Sequence, residues 1–254
     1  MHWTIHRYEV VESTNDVACE LLESGEASLP FVVIADSQTR GRGRGSNSWW
    51  SDEGSLTATL AIDPVAHGLS PLHEPRTALA TAVAIIEAMP WDFPNNRRPG
   101  IRWPNDIESE GRKLGGILPE RVETTAGSRL LIGIGINIHT NLFAAPEEIQ
   151  RMAVSLAELR GTCGTPSEIL GFILHQLDRI LPKLSANDQG LARRWAELDT
   201  LRGESVRVDL GTKVLTGIGR GIDAEGALVL LTDEGEIHLF GGRVLRAGNS
   251  SSSS

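Results

Sequence analysis

Three arginines, Arg40, Arg42 and Arg44, alternate with glycine in TRGRGRGSNSWW, residues 39–50, and two tryptophans follow. Glycine keeps this backbone from settling into a helix, so the charges sit on an adaptable loop. Such a loop suits a disordered nucleic-acid-binding segment or a turn that wraps a phosphate. Three other stretches carry more polar specificity than a fold needs: STN at 13–15, RWPNDIESEGRKLGGIL at 102–118 and GIGIN at 133–137. Lys113 brings a flexible ammonium that can follow charge as it moves. Asn105 and Asp106 precede it, and Gly116, Gly133 and Gly135 permit close backbone approach. Taken singly, each has an ordinary explanation: a helix cap, a tight strand, a surface loop, a surface lysine.

The elements that must position these residues follow from hydrophobic period and breakers. HRYEVVESTNDVACELLESG reads as a short strand turning into a helix at Ser13-Thr14, whose hydroxyls can cap free amides. Val17, Ala18, Leu21 and Leu22 form its apolar stripe, and Gly25 suits its stop. PFVVIADSQ and SLTATLAI are strands on either side of the arginine loop. HEPRTALATAVAIIEAM reads as a largely buried helix ending near Pro90. GIRWPND is a short strand broken by a proline turn. KLGGILPERVE and RLLIGIGINI pair as strands around TTAGS. Residues 147–160 and 166–200 read as mainly helical, with Pro182 interrupting the second stretch. From Gly203 to Ala247 only short strand-like runs occur, SVRVDL, KVLTGIGRGI, GALVLLT and EIHLFGGRVL, spaced as in a small β-barrel.

Size and charge narrow the function classes. With 254 residues, 40% of them hydrophobic, the chain can bury a sizeable core. A formal net charge of −9 argues against a general nucleic-acid binder, which needs a basic face. Two cysteines are too few for a disulfide framework and point to a reduced compartment. The N-terminus lacks a signal-peptide core, and no run reaches the length of a membrane span. These readings place the protein in the cytoplasm, away from membranes.

Together and in this order, the four stretches resemble the biotin–protein ligase family. WPND…GRKLGGIL is the most specific part. The resemblance implies an α+β fold, with a class II synthetase-like mixed β-sheet and helices packed on one of its faces. A small SH3-like β-barrel follows. The corresponding boundaries are 1–200, 201–247 and a disordered tail at 248–254. It also implies activation of biotin with ATP to biotinyl-5′-AMP, then transfer to a lysine of a biotin carboxyl carrier domain of a carboxylase. Biotin and ATP are substrates, Mg²⁺ accompanies them, and no tightly bound cofactor is expected. Ser13, Thr14, Asn15 and Gln38 match positions that hydrogen-bond the ureido ring. Gly41 and Arg42 match the biotin end of the loop, while Gly43 and Arg44 match its phosphate end. The family tryptophan corresponds to Trp49, with Trp50 as its substitute, and supplies a flat surface for adenine. Lys113, Arg42 and Arg44 would stabilise developing charge. Gly116, Gly133 and Gly135 would admit the thioether ring. Asn105, Asp106 and Asn137 would face the nucleotide, with Asp106 as a Mg²⁺ contact.

The sequence departs from the family where Gly45, Ser46 and Asn47 replace Arg-Gly-Arg, and where Arg102 replaces lysine. Arg40 is an extra cation before the loop. Three like charges on so many glycines imply a loop that orders when an anion binds. The ligase motifs begin by residue 13, which leaves no room for the winged helix of many relatives and implies no DNA binding. A homodimer stays open. Two other functions remain to be separated: a lipoate or octanoyl ligase or transferase on the same scaffold, and a noncatalytic biotin- or RNA-binding module.

Overall fold

The computed structural model describes residues 1–89, 93–94, 97–161 and 163–245. Seven strands form one sheet: β1 Thr4–Val11, β2 Phe31–Gln38, β3 Ser55–Ile62, β4 Gly100–Arg102, β5 Asp106–Ser109, β6 Arg112–Thr124 and β7 Gly127–Asn137. Their order is β1-β2-β3-β7-β6-β5-β4. Only β1 and β2 pair in parallel, so the chain must cross over between them, and helix α1 (Thr14–Ser24) makes that crossing. Gly25 closes α1 with φ of 70°, as the sequence predicts. The start differs from expectation. Ser13 has the extended backbone of a cap, but its hydroxyl makes no capping bond. The Thr14 amide instead donates to Gln38 Oε1 at 2.8 Å, a cap supplied by a neighbouring strand.

Helices cover both faces of the sheet, not one. On β2, Phe31 and Val33 point into a cluster with Ala18 and Leu21 of α1, while Val32 and Ile34 join the larger core on the opposite face. Helix α2 (Glu74–Ala88), α5 (Pro166–Ser185) and α6 (Gln189–Leu198) contribute to that larger core. Strand β3 is buried at every position, the consequence of two covered faces. Pro182 does not interrupt the helix. It sits in the last turn of α5, where the cost is the amide that would reach the Asp178 carbonyl; the chain turns at Asn187, with φ of 52°. Residues 147–160 split into α3 (Glu147–Met152) and α4 (Leu156–Arg160). Between them the Val154 amide donates to the Lys113 carbonyl at 2.9 Å, which braces the start of β6.

A second, antiparallel sheet follows: β8 Ser205–Asp209, β9 Val214–Ile222, β10 Leu228–Thr232, β11 Gly235–Leu239 and β12 Arg243–Leu245, in the order β11-β10-β9-β8-β12. EIHLFGGRVL is thus two strands. Gly242, with φ of 139°, turns the chain where a Cβ would lie 2.6 Å from Val208 Cγ1. Two buried indoles tie the first unit to the β9–β10 turn of the second sheet: Trp103 Nε1, in the β4–β5 turn, donates to the Gly226 carbonyl at 3.0 Å and Trp195 Nε1, on α6, to the Asp223 carbonyl at 2.9 Å. The tail at 248–254 lies outside the described residues.

Candidate active site

A cleft of about 370 Å³ opens where the ends of several elements meet. The start of α1, the loop after β2, the β4–β5 turn, the middle of β6 and β7, and the approach to β12 all line it. One end is polar and rigid. The Gln38 side-chain oxygen receives the Thr14 amide and, at 3.1 Å, the Thr14 hydroxyl. The Thr59 hydroxyl lies 2.8 Å from Thr14 Oγ1 and donates to Asn15 Oδ1 at 2.5 Å. Asn15 Nδ2 donates to Glu120 Oε2 at 2.6 Å. Thr14, Asn15 and Thr59 are buried, so this network must be fully paired to be tolerated.

Cations line the same cleft. Lys113 Nζ lies 2.7 Å from Asp106 Oδ1 and 5.7 Å from the centre of the Trp49 indole. The arginine loop is a tight hairpin. Gly43 N–H donates to the Asn47 carbonyl and Trp49 N–H to the Gly41 carbonyl, each at 2.8 Å. Each of its arginines has a partner: Arg40 with Glu12 at 3.2 Å, Arg42 with Glu120 at 2.7 Å and Asp16 at 3.4 Å, and Arg44 Nη1 with the Gly242 carbonyl at 2.6 Å. These contacts offset the mutual repulsion of the three charges.

Most of the residues singled out by sequence line the cleft: Ser13, Thr14, Asn15, Gln38, Arg42, Gly43, Arg44, Trp49, Asn105, Asp106, Lys113, Gly116, Gly133 and Gly135. Trp50 is not among them. Two others also stand back. Gly41 is pressed against the loop's own base, where a Cβ would meet the Trp49 carbonyl at 2.5 Å. Asn137 is buried and its amide donates to the carbonyls of Lys113 and Val154, at 3.3 and 3.2 Å. It holds the strand that carries Lys113. The glycines also serve the packing of the site itself. A Cβ on Gly133 would meet Asn15 Oδ1 at 2.7 Å, one on Gly135 the Trp49 ring at 2.5 Å, and one on Gly116 Lys113 Nζ at 3.2 Å. They make room for the site's own side chains.

Asp106 does not make a cation site by itself. It is the one carboxylate among the residues lining the cleft and is already engaged by Lys113. Among the described residues, no group of three or more His, Cys, Asp or Glu could hold a metal ion. A lone, neutralised carboxylate is too little to fix Mg²⁺ without phosphate oxygens.

Sequence reasoning missed Glu120 and Thr59, which sit behind the cleft, and Gly242, Arg243 and Val244, which reach it from the second sheet. Only register and long-range packing bring them there. Arg102 lines the cleft with its guanidinium 3.5 Å from Glu108, which is almost wholly buried. Nearby, burial pushes the Asp199 carboxyl up to about 6, with the Glu108 charge adding to the shift.

Comparison with known proteins agrees with this geometry. A model of the biotin/lipoate A/B protein ligase family matches residues 8–137, and one of the biotin protein ligase C terminal domain matches residues 202–252. The biotin–[acetyl-CoA-carboxylase] ligase of Mycobacterium tuberculosis is 32% identical over 233 residues, covering 87% of this chain and 82% of that protein. The bifunctional ligase/repressor BirA of Bacillus spizizenii is 31% identical over 231 residues, covering 89% and 69%. The biotin protein ligase from Aquifex aeolicus, solved in complex with biotin and ATP, matches with a TM-score of 0.78 at 27% identity, covering 95% and 97% of the two chains. The fold is therefore a class II synthetase-like mixed sheet followed by an SH3-like unit. By sequence and by fold, the chain belongs to the biotin/lipoate A/B protein ligase family.

Proposed function

We propose that this chain is a biotin–protein ligase that makes biotinyl-5′-AMP and passes the biotin to a lysine of a carboxyl carrier domain. The observation that carries the reading is Lys113: its ammonium lines the same cleft as the paired polar residues and lies 5.7 Å from the centre of the Trp49 ring. In the first step a biotin carboxylate oxygen attacks the α-phosphorus of ATP, and the bond to the bridging oxygen breaks as pyrophosphate leaves. Lys113 stabilises the charge shared between carboxylate and phosphate. Arg42 and Arg44 serve the biotin end and the adenylate phosphate. Ser13, Thr14, Asn15 and Gln38 pair the ureido group, whose burial demands it. Trp49 supports adenine beside Asn105. In the second step a carrier lysine amine attacks the acyl carbon, AMP leaves, and the amine's proton passes to solvent. Mg²⁺ enters with ATP as part of the substrate. A polar, hydrogen-bonded end favours a ureido ring over the linear acyl chain of lipoate. A catalytic unit at 1–200 and an SH3-like unit at 201–247 divide the work, and the cytoplasm supplies ATP and carriers.

The test is to incubate the protein with biotin, ATP, Mg²⁺ and a carrier domain and look for the mass of biotin on the carrier, with lipoate as control. Lys113→Ala should lower pyrophosphate release by about 10²-fold or more, since it removes a cation from the centre of charge development. The side chain is a third exposed, so the melting temperature should change little. Lys113→Arg should not restore activity, because a planar fork cannot follow moving charge. Release within tenfold of wild type in Lys113→Ala would remove the lysine from the mechanism.

A further inference from the structure

Glu120 lies outside the cleft, yet one of its oxygens touches both the loop and the polar pocket. Oε2 accepts from Asn15 Nδ2 at 2.6 Å and from Arg42 Nη2 at 2.7 Å. We propose that Glu120 is a positioning residue, one that ties the arginine loop shut and fixes which way the polar end of the cleft presents its donors and acceptors.

The direction of the network supports this. An ionised carboxylate can only accept, so Asn15 must turn its amide nitrogen toward Glu120. Its oxygen then faces Thr59, whose hydroxyl is committed as a donor to it. Thr14 Oγ1 lies 2.8 Å from Thr59 Oγ1 and gives its own proton to Gln38 Oε1 at 3.1 Å. From Thr59 through Asn15 to Glu120 each group thus donates toward the carboxylate, which also receives Arg42, so the charged group sets the direction of this part of the network. Gly133 enforces the placement of Asn15, because a methyl group there would lie 2.7 Å from its oxygen. A neutral or absent group at position 120 would let the Asn15 amide reverse and leave Thr59 without its acceptor. The same change frees Arg42, whose other partner, Asp16, is more distant at 3.4 Å.

This proposal rests on the ligase reading for its ligand, and its test separates the two. Biotin binding by calorimetry and protease cleavage within residues 39–48, both without ATP, are measured for wild type, Glu120→Gln and Glu120→Ala. Both contacts fall on one oxygen, so Gln preserves the geometry and loses the charge, whereas Ala loses both. Removing a pair of charge-assisted bonds should weaken biotin binding by about 10- to 100-fold in Glu120→Ala, with a smaller loss in Glu120→Gln. Loop cleavage should accelerate in the same order. A double variant, Asn15→Ala with Glu120→Ala, should lose little more than Asn15→Ala alone, a coupling that general loss of stability does not produce. Should Glu120→Ala fail to fold, Glu120→Gln carries the test. Biotin affinity within twofold of wild type together with unchanged loop cleavage would overturn the proposal. A wild type that binds no biotin would sink the ligase reading, while the cleavage rates would still decide whether Glu120 holds the loop.

Discussion

A Cβ built on Gly135 would lie 2.5 Å from Trp49 Cε2 and 2.8 Å from Cζ2, so the indole rests directly on the strand backbone. Gly135→Ala must therefore tilt or expel the ring. Stacking of a base on an aromatic ring is worth roughly 1–3 kcal/mol, so the KM for ATP should rise about 5- to 150-fold. Gly171→Ala serves as control: nothing lies within 4 Å of its added carbon in α5, and it should stabilise the fold by about 0.5–1 kcal/mol in urea titration. Equal KM values for the two variants would separate Trp49 from nucleotide binding. The contrast shows what was legible at this scale. Lys113, the arginines and the STN residues stood out because their motifs fall together in the order of a known family, although each alone reads as a surface lysine, a loop or a helix cap. Glu120 did not, because PERVE reads as an ordinary solvent face, and only its Cβ direction on β6 brings its carboxylate to Asn15.

Elements were legible where the hydrophobic period was strong, as in α2 and the β6–β7 pair. They were less so where a remote segment completes a local structure. The cap of α1 comes from Gln38, and the brace of Lys113 from Asn137 and Val154. The turn between β9 and β10 is a further case. Asp223 Oδ1 accepts from the amides of Glu225 and Ala227, each at 2.9 Å, a side-chain-mimicked turn that IDAEGAL does announce. What it cannot announce is that the Asp223 and Gly226 carbonyls then receive the Trp195 and Trp103 indoles. Because Trp103 and Arg243 both line the cleft, this turn fixes the second sheet relative to the site. Asp223→Ala should lose both amide bonds and the His238 contact at 2.7 Å, costing about 1–3 kcal/mol in urea titration. Unchanged stability would show that the indoles alone hold the turn.

Across the whole molecule, charge is distributed against the net value. The chain carries −9, yet five cationic side chains and a single carboxylate line the cleft. Carboxylates behind the lining hold Arg42, Arg102 and Arg243, and Asp106 holds Lys113, so an anion meets cations already fixed in place, an arrangement composition alone could not show. The opposite arrangement sits beside it. Asp199 follows α6, where the chain leaves the first sheet, and its Oδ1 accepts from the Leu201 amide at 3.1 Å. Oδ2 is buried without a hydrogen bond, and burial, with Glu108 nearby, raises the carboxyl to about 6 from 3.8. The folded state therefore holds its proton at pH values where the unfolded chain has released it. Between about pH 4 and 6 the unfolded state binds fewer protons, so stability falls as pH rises through this window and stays lower above it. The shift amounts to roughly 1–3 kcal/mol at neutral pH. Asp199→Asn keeps an oxygen for the Leu201 amide and removes the charge. It should match wild type near pH 4 and exceed it by that amount at pH 8, measured by urea unfolding at each pH. Parallel stability curves for the two proteins across pH 4 to 8 would mean that Asp199 ionises in the folded protein as freely as in the unfolded chain.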